Sequence, residues 1–427
     1  MEIVNSIANW LLSKRISQIE RFMYQPHEVQ QQVLEALIEA GRSTKWGKEH
    51  GYRDIRSVEQ YRSRVPLSYY EDLFPYIERQ MKGEQGVLWP TEVKWFAKSS
   101  GTTNARSKFI PMSKESLEHC HYKGGKDLFS VYVNNFPESK LFKGKNLGIG
   151  GSYQKSHLHP DMYYGDVSAV IMKNLPIWAE FRRAPDLSIA LMDQWEEKIE
   201  KMAENTIDEN ITNISGVPTW TIVLLERLLK MSGKSDIKEV WPNLEVFMHG
   251  AVAFGPYQDT FDKLIDPEDM FYMEVYNASE GFFGLQDQTD SKDMLLMLDY
   301  GVYYEFIPME EVDKEQPKTI SLSEVEIGKN YAIVITTNGG LWRYVIGDTV
   351  KFTSTYPYKI RISGRTKHFI NAFGEEVIIE NAEAAVTEAS KATNAKLLNF
   401  TAAPVYLEAG KKGGHEWVVE FEEDPSD

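Results

Sequence analysis

Between residues 141 and 300, short apolar runs alternate with stretches of helical periodicity, which restricts the chain to layered α/β architectures. KNLGIGG, LEVFMHGAV and MFYMEVYNASEG read as largely buried strands that end in turns. DQWEEKIEKMAE and TWTIVLLERLLKMSG read as helices, the first with a solvated charged face. From 300 to 350 the pattern becomes strand-rich, with YAIVITT and LWRYVIGD flanking a hairpin turn at Asn338-Gly339-Gly340. YKIRIS then alternates, Tyr358, Ile360 and Ile362 on one face and Lys359, Arg361 and Ser363 on the other. Residues 1–90 read as mostly helical. In HEVQQQVLEALIEAG, Val29, Val33 and Leu37 form a stripe, and Gly41 stands at the expected C-cap. TEVKWFA reads as a strand, followed by the polar stretch KSSGTTNARSK.

A chain of 427 residues exceeds one ordinary core, and about 150 residues per domain predicts two or three subdomains. Pro357 and the Gly364-Arg365 pair mark a boundary near 355–366. Lysine and arginine number 47 against 63 acidic residues, a net charge of −16. Such a chain repels nucleic acid and anionic lipid, so any polyanion site must be built locally from its own cations and N–H groups. The lone Cys120 excludes an intramolecular disulfide and a thiolate zinc cluster, and suits a reducing, cytoplasmic setting. The first 22 residues read as an amphipathic helix packed on the protein itself, and no run reaches the ~18 apolar residues of a membrane span.

Three segments carry candidate chemistry. Ser99-Ser100-Gly101-Thr102-Thr103, continuing to Lys108, offers hydroxyls, backbone N–H groups and one cation to phosphates. It lacks the second glycine before the lysine and the hydroxyl after it that a Walker loop needs. Tyr276-Asn277-Ala278-Ser279-Glu280 ends a strand with an aromatic for a base, a hydroxyl for a phosphate and a carboxylate for Mg2+. Asp348, after LWRYVIG, has two oxygens suited to the two hydroxyls of a ribose. Gly364-Arg365 follows 17 positions later, far enough to return over the same nucleotide. Each segment alone is equally an ordinary turn. His119 and His121, two apart, point different ways on a helix; His157 and His159 could share a strand face and bind metal but lack a third ligand, and no Gly-x-Ser-x-Gly elbow occurs.

In this order, the hydroxyl loop, aromatic-Ser-Glu, Gly-Asp and Gly-Arg segments resemble the acyl-adenylate-forming superfamily. Trp241-Pro242-Asn243, YNASEGFFG, WRYVIGD and Ile214-Ser215-Gly216-Val217-Pro218-Thr219-Trp220 resemble, within it, the auxin-responsive Gretchen Hagen family of acyl acid amido synthetases, over about residues 20–400. The resemblance implies a large multilayered α/β adenylate-forming domain over 1–356, a hinge over 357–366 and a small, shortened α+β cap over 367–427. It implies an ATP- and Mg2+-dependent ligase that joins a small carboxylic acid to an amine through an acyl adenylate. Ser99, Ser100, Gly101, Thr102, Thr103 and Lys108 would hold phosphates. Gly250 and Ala251 would line the adenine and acyl sites, Tyr276 would stack near adenine, and Asn277 and Ala278 would also bind the nucleotide. Ser279 would meet the α-phosphate, Glu280 the metal and Asp348 the ribose, with Arg365 assisting. Val217, Pro218 and Thr219 would edge the acyl pocket. A CoA ligase with the same first step and a non-catalytic nucleotide binder are the alternatives. After the hinge, Asn371-Ala372-Phe373-Gly374-Glu375-Glu376 departs from the plant pattern, which leaves second-step specificity open.

Overall fold

The structure, a computed structural model, describes residues 14–99, 107–176, 180–268, 270–366, 379–393, 395–405 and 414–422. Ser100, Gly101, Thr102 and Thr103 of the expected phosphate loop lie outside the described residues, as do Asn371–Glu376.

The largest element is an eleven-stranded sheet. Its spatial order is Val302–Pro308, Asn330–Thr337, Tyr344–Thr355, Tyr358–Arg365, Met294–Leu296, Gly281–Gln286, Phe271–Ala278, Val246–His249, Ile211–Gly216, Lys145–Gly148 and Arg183–Ala184. Neighbours are antiparallel from the first of these to Phe271–Ala278, and parallel from there to the far edge. The parallel half is fed by crossovers through helices such as Trp195–Thr206 and Pro218–Ser232, as parallel pairing requires. Their apolar faces form one core around Ile214, Leu224, Phe247 and Phe261. A larger core runs from the N-terminal helices through Phe283, Tyr304 and Trp342, and a small third one gathers Ile307, Ala332, Val334 and Val345.

The antiparallel half curls. Tyr276 and Asp348 lie on strands four places apart in the sheet, which would separate flat backbones by roughly 19 Å. Their side chains are nevertheless hydrogen-bonded at 2.7 Å. Strong coiling brings the two strands face to face. A separate four-stranded sheet holds the hairpin Val93–Ser99 and Lys108–Ser113, with Tyr163–Gly165 and Tyr153–Lys155 beside it.

Pro26 opens the Pro26–Gly41 helix at a position where its missing N–H is harmless. Val29, Leu34, Leu37 and Ile38 bury its inner face. Gln30 ties it to the Val302–Pro308 strand, donating to Leu298 O and Val302 O at 2.9 Å and accepting from Tyr304 N at 2.9 Å. Gly41 is not the expected left-handed cap. It is the last helical residue, and a Cβ there would come within 2.7 Å of the Trp342 ring. Close packing, not backbone conformation, requires glycine here.

Residues 14–24 form a preceding helix anchored by Arg15. Its guanidinium bonds Asp127 at 2.6 Å and Asp299 at 2.7 Å; Lys123 also pairs with Asp299 at 2.9 Å, and the Tyr300 hydroxyl donates to Asp127. The Asp127 side chain is only 1% exposed. Removing the cation would leave that carboxylate buried and short of charge. Arg15→Ala is therefore expected to destabilise the fold by about 3 kcal/mol in urea unfolding at pH 7; a loss below about 1 kcal/mol would show that the network is replaceable.

The turn expected at Asn338-Gly339-Gly340 is present: Gly340 N–H donates to Thr337 O at 3.1 Å and Thr337 N–H to Leu341 O at 2.8 Å, and the chain beyond it carries Trp342 and Arg343 into the core. Most of the stretch expected as a hinge, 357–366, is regular structure. Tyr358–Arg365 is a strand hydrogen-bonded to Tyr344–Thr355 and to Met294–Leu296, so the chain leaves the large sheet only at Thr366. Beyond lie the Ile379–Thr393 helix and the antiparallel strands Leu397–Val405 and Gly414–Phe421.

Candidate active site

Three neighbouring parallel strands, Ile211–Gly216, Val246–His249 and Phe271–Ala278, end at one edge and deliver the predicted segments there. Open α/β sheets bind ligands outside the carboxyl ends of their strands. Val217 is the N-cap of the Pro218–Ser232 helix and Pro218 its first residue, so Val217, Pro218 and Thr219 surround a helix start with unpaired N–H groups. Gly250 and Ala251 follow His249. A Cβ on Gly250 would stand 2.5 Å from Val275 O, and Ala251 takes a left-handed φ of 72°. The loop thus passes backbone-close over the strand that carries Tyr276. Ser279 and Glu280 form the tight turn between Phe271–Ala278 and Gly281–Gln286.

Asp348 is brought to this edge by the curl. It faces Arg365 across the last rungs of the hairpin, with Arg365 Nε 3.0 Å from Oδ1. The Tyr276 hydroxyl donates to Oδ2 at 2.7 Å. Tyr276 is 5% exposed, with its ring edge-on to Phe283 at 4.9 Å. Through its hydroxyl, Tyr276 braces the Asp348 carboxylate. Each carboxylate oxygen retains a second acceptor site for a ligand hydroxyl.

Glu280 lies deep beside them. Burial, and secondly the Asp348 charge, push its carboxyl pKa up to about 7, while Lys108 and Arg365 pull it down. Those influences place Glu280, Asp348, Lys108 and Arg365 in one electrostatic neighbourhood. Lys108 reaches it as the cross-strand partner of Ser99, where the hairpin opens into the hydroxyl loop. Its ammonium lies 5.8 Å from the centre of the Tyr70 ring, and Phe109 N–H donates to the Tyr70 hydroxyl at 2.8 Å. Among the described residues the Glu280 carboxylate makes no ion pair or side-chain hydrogen bond, and no cluster of three or more potential metal ligands occurs. A single deep carboxylate fits Mg2+, which usually takes one or two protein carboxylates and completes its shell with phosphates and water. It does not fit a metal held by a dedicated protein cage.

Two site residues escape sequence reasoning. Tyr344 buries a hydroxyl with no partner among the described residues, in the electrostatic reach of Glu280. His121 bonds Asn277 at 3.0 Å. Tyr344 sat inside a motif already singled out, but a contact spanning 156 positions leaves no local signal. The other histidine pair carries no metal signature: His159 Nδ1 accepts from Asp161 N–H at 3.2 Å.

Arg343, in the same stretch as Asp348, is architectural. It adopts φ 43°, pairs with Glu305 at 2.9 Å and donates to Arg62 O and Val65 O at 2.9 and 2.7 Å.

The fold is that of the GH3.15 acyl acid amido synthetase, with a TM-score of 0.77 at 17% identity over 96% of this chain and 81% of that one. A 2-hydroxyisobutyryl-CoA ligase superimposes more loosely, with a TM-score of 0.52 at 13% identity over 83% of this chain and 78% of that chain. In sequence, the indole-3-acetic acid-amido synthetase GH3.3 of Arabidopsis thaliana is 24% identical, the match covering 77% of this chain and 65% of that protein. The chain thus spans about two thirds of the length of that relative. Residues 15–270 match the GH3 family N-terminal domain and residues 295–365 the GH3 family central domain. The first match alone takes in more than half of the 427 residues and the second carries Asp348 and Arg365, so the chain belongs to the GH3 family.

Proposed function

We propose that the chain activates a carboxylic acid with ATP, forming an acyl adenylate and releasing pyrophosphate, and then transfers the acyl group to an amine such as an amino acid. The observation that carries this reading is the Tyr276–Asp348–Arg365 constellation standing beside Glu280 and Lys108 at the carboxyl ends of the parallel strands. Asp348 binds both ribose hydroxyls, held in place by Tyr276 and Arg365. Gly250 and Ala251 let the backbone approach the base. Ser99, Ser100, Gly101, Thr102, Thr103 and Lys108 hold the phosphates, and Ser279 donates to the one that is attacked. Asn277 and Ala278 form the strand end between nucleotide and acid, and Val217, Pro218 and Thr219 border the acyl group.

The chemical obstacle is repulsion. A carboxylate must approach a phosphate, and like unit charges at about 4 Å repel by about 4 kcal/mol at an effective dielectric near 20. Lys108, Arg365 and N–H donors of the loop offset it where charge develops. Mg2+ on Glu280, when bound, neutralises phosphate oxygens and steadies the leaving pyrophosphate. In the second step the amine lone pair attacks the acyl carbonyl, AMP leaves with the bonding electrons, and the nitrogen releases a proton to solvent. The unit beyond Thr366 is the part free to reorient between steps. We place the enzyme in the cytoplasm, in keeping with the buried thiol of Cys120 and with no described helix being long and apolar enough to cross a membrane.

The decisive measurement is exchange of labelled pyrophosphate into ATP with a library of aryl and aliphatic acids. Acid-dependent exchange, with AMP and not ADP as the final product, is expected. Consumption of an amino acid with AMP release identifies the amide-forming step; consumption of CoA instead would assign a thioester ligase. ATP binding without exchange for any acid would overturn the reading.

A further inference from the structure

The strand that offers Tyr276 to Asp348 uses its opposite face for something else. Side chains alternate along a strand, so Asn277 projects away from the ribose acid. There it meets His121, whose Nδ1 is 3.0 Å from Asn277 Oδ1. An amide oxygen only accepts, so Nδ1 carries the proton and the ring is the Nδ1–H tautomer. His121 is 4% exposed, and burial pushes its pKa down to about 4, which keeps it neutral at pH 7. Nε2 is then a bare acceptor, without a partner among the described residues. A buried acceptor left unsatisfied costs about 1–3 kcal/mol, so the ring is retained for what its other nitrogen does.

The ring cannot swing away. It sits at the end of a π-helical turn, Leu117–His121, a widened geometry frequent at functional positions. Beside it the Cys120 sulfur accepts the Phe282 N–H at 3.2 Å, fastening the turn to the neighbouring strand. Gly124, three residues on, lies so close that a Cβ would come within 2.6 Å of the Phe282 ring.

With Oδ1 held toward His121, the Asn277 amide turns its Nδ2 donor pair away from the histidine, available to a ligand. Asn277 is partly exposed, two residues before Ser279 and three before Glu280, on the side of the strand that the nucleotide does not use. We propose that His121 is a positioning residue that fixes the Asn277 amide so that Nδ2 donates to a carboxylate oxygen of the acid substrate, and then to the acyl carbonyl of the adenylate. This rests on the adenylation reading and adds to it the subsite that orients the second substrate. Without His121 the amide can present its oxygen, which repels a carboxylate.

Wild type, His121→Phe, His121→Gln, Asn277→Ala and Asn277→Asp are compared in pyrophosphate exchange, with the KM for the acid and for ATP measured separately. The probe is whichever of benzoate, indole-3-acetate and octanoate exchanges fastest in wild type. His121→Phe is expected to raise the acid KM about tenfold while leaving the ATP KM within about twofold. His121→Gln, whose amide N–H can replace Nδ1–H, should recover most of that loss. Asn277→Asp, which sets a charged oxygen against the substrate, should be worse than Asn277→Ala. An unchanged acid KM in His121→Phe, or both KM values rising together, overturns the proposal alone. Absence of exchange in wild type with the whole acid library overturns the adenylation reading and this proposal with it. Nitrogen NMR of the ligand-free protein tests the premise without turnover: a proton on Nε2 of His121 would overturn it.

Discussion

Asp348→Ala is expected to lower kcat/KM for ATP by roughly 10²–10⁴, because two charge-assisted hydrogen bonds to ribose hydroxyls are worth about 1.5–3 kcal/mol each. The loss extends beyond those contacts. The Tyr276 hydroxyl, now bonded to Asp348 at 2.7 Å, is left buried without its acceptor. Asp348→Asn keeps the shape but loses charge and turns one oxygen into a donor, so an intermediate loss is expected. The fold should persist in both, since the hairpin around Asp348 is held by backbone pairing on both sides. Steady-state kinetics with ATP varied, alongside circular dichroism, reads the result. Activity within about threefold of wild type in the alanine variant would remove Asp348 from the nucleotide site.

Glu280→Gln is expected to be nearly inactive and more stable than wild type. In wild type the carboxyl has its pKa raised from an ordinary 4.5 to about 7, first by burial and next by Asp348. A carboxyl raised in the folded state holds its proton where the unfolded chain has released it. Stability is therefore lost as pH rises from about 4.5 through 7, by about 3 kcal/mol in all at 1.36 kcal/mol per unit. Glutamine carries no such charge. In urea unfolding without ligand, Glu280→Gln should exceed wild type at pH 8, and the gap should close by pH 4. Catalysis runs the other way. Below pH 7 the wild-type carboxylate takes a proton and could no longer hold the proposed Mg2+, so kcat/KM for MgATP should fall about tenfold per unit on the acid side. That limb should be missing from whatever activity the glutamine variant keeps. Equal stabilities at pH 8, together with an unchanged acid limb, would refute the role of Glu280.

The sequence made the site legible in pieces and the fold in outline. Alternating patterns between 141 and 300 correctly announce layered α/β structure with buried strands, because buried strands and amphipathic helices each leave a local period. Asp348 and Glu280 stand out for a similar reason: an acid at the end of an apolar run is locally odd. What stayed hidden depends on distance along the chain. Gly41 reads as a cap until Trp342 is seen lying across it. That the Tyr276 hydroxyl braces Asp348, 72 residues on, leaves no local mark. YKIRIS alternation specifies the strand at 358–365 but not which sheet accepts it. His121 looked inert because a helix would point it away from His119, and neither the π turn nor Asn277 could be foreseen.

The division of labour inside Trp342–Asp348 bears on how mutational scans of such enzymes should be interpreted. Trp342 wedges against Gly41, Arg343 neutralises Glu305 in the interior, and only the far end of the stretch reaches the proposed nucleotide site. Intolerance to change will therefore be uniform across seven consecutive letters for two unrelated reasons, misfolding at one end and lost chemistry at the other. Abundance and turnover, measured side by side for each variant, would separate the two populations that a growth screen alone would merge.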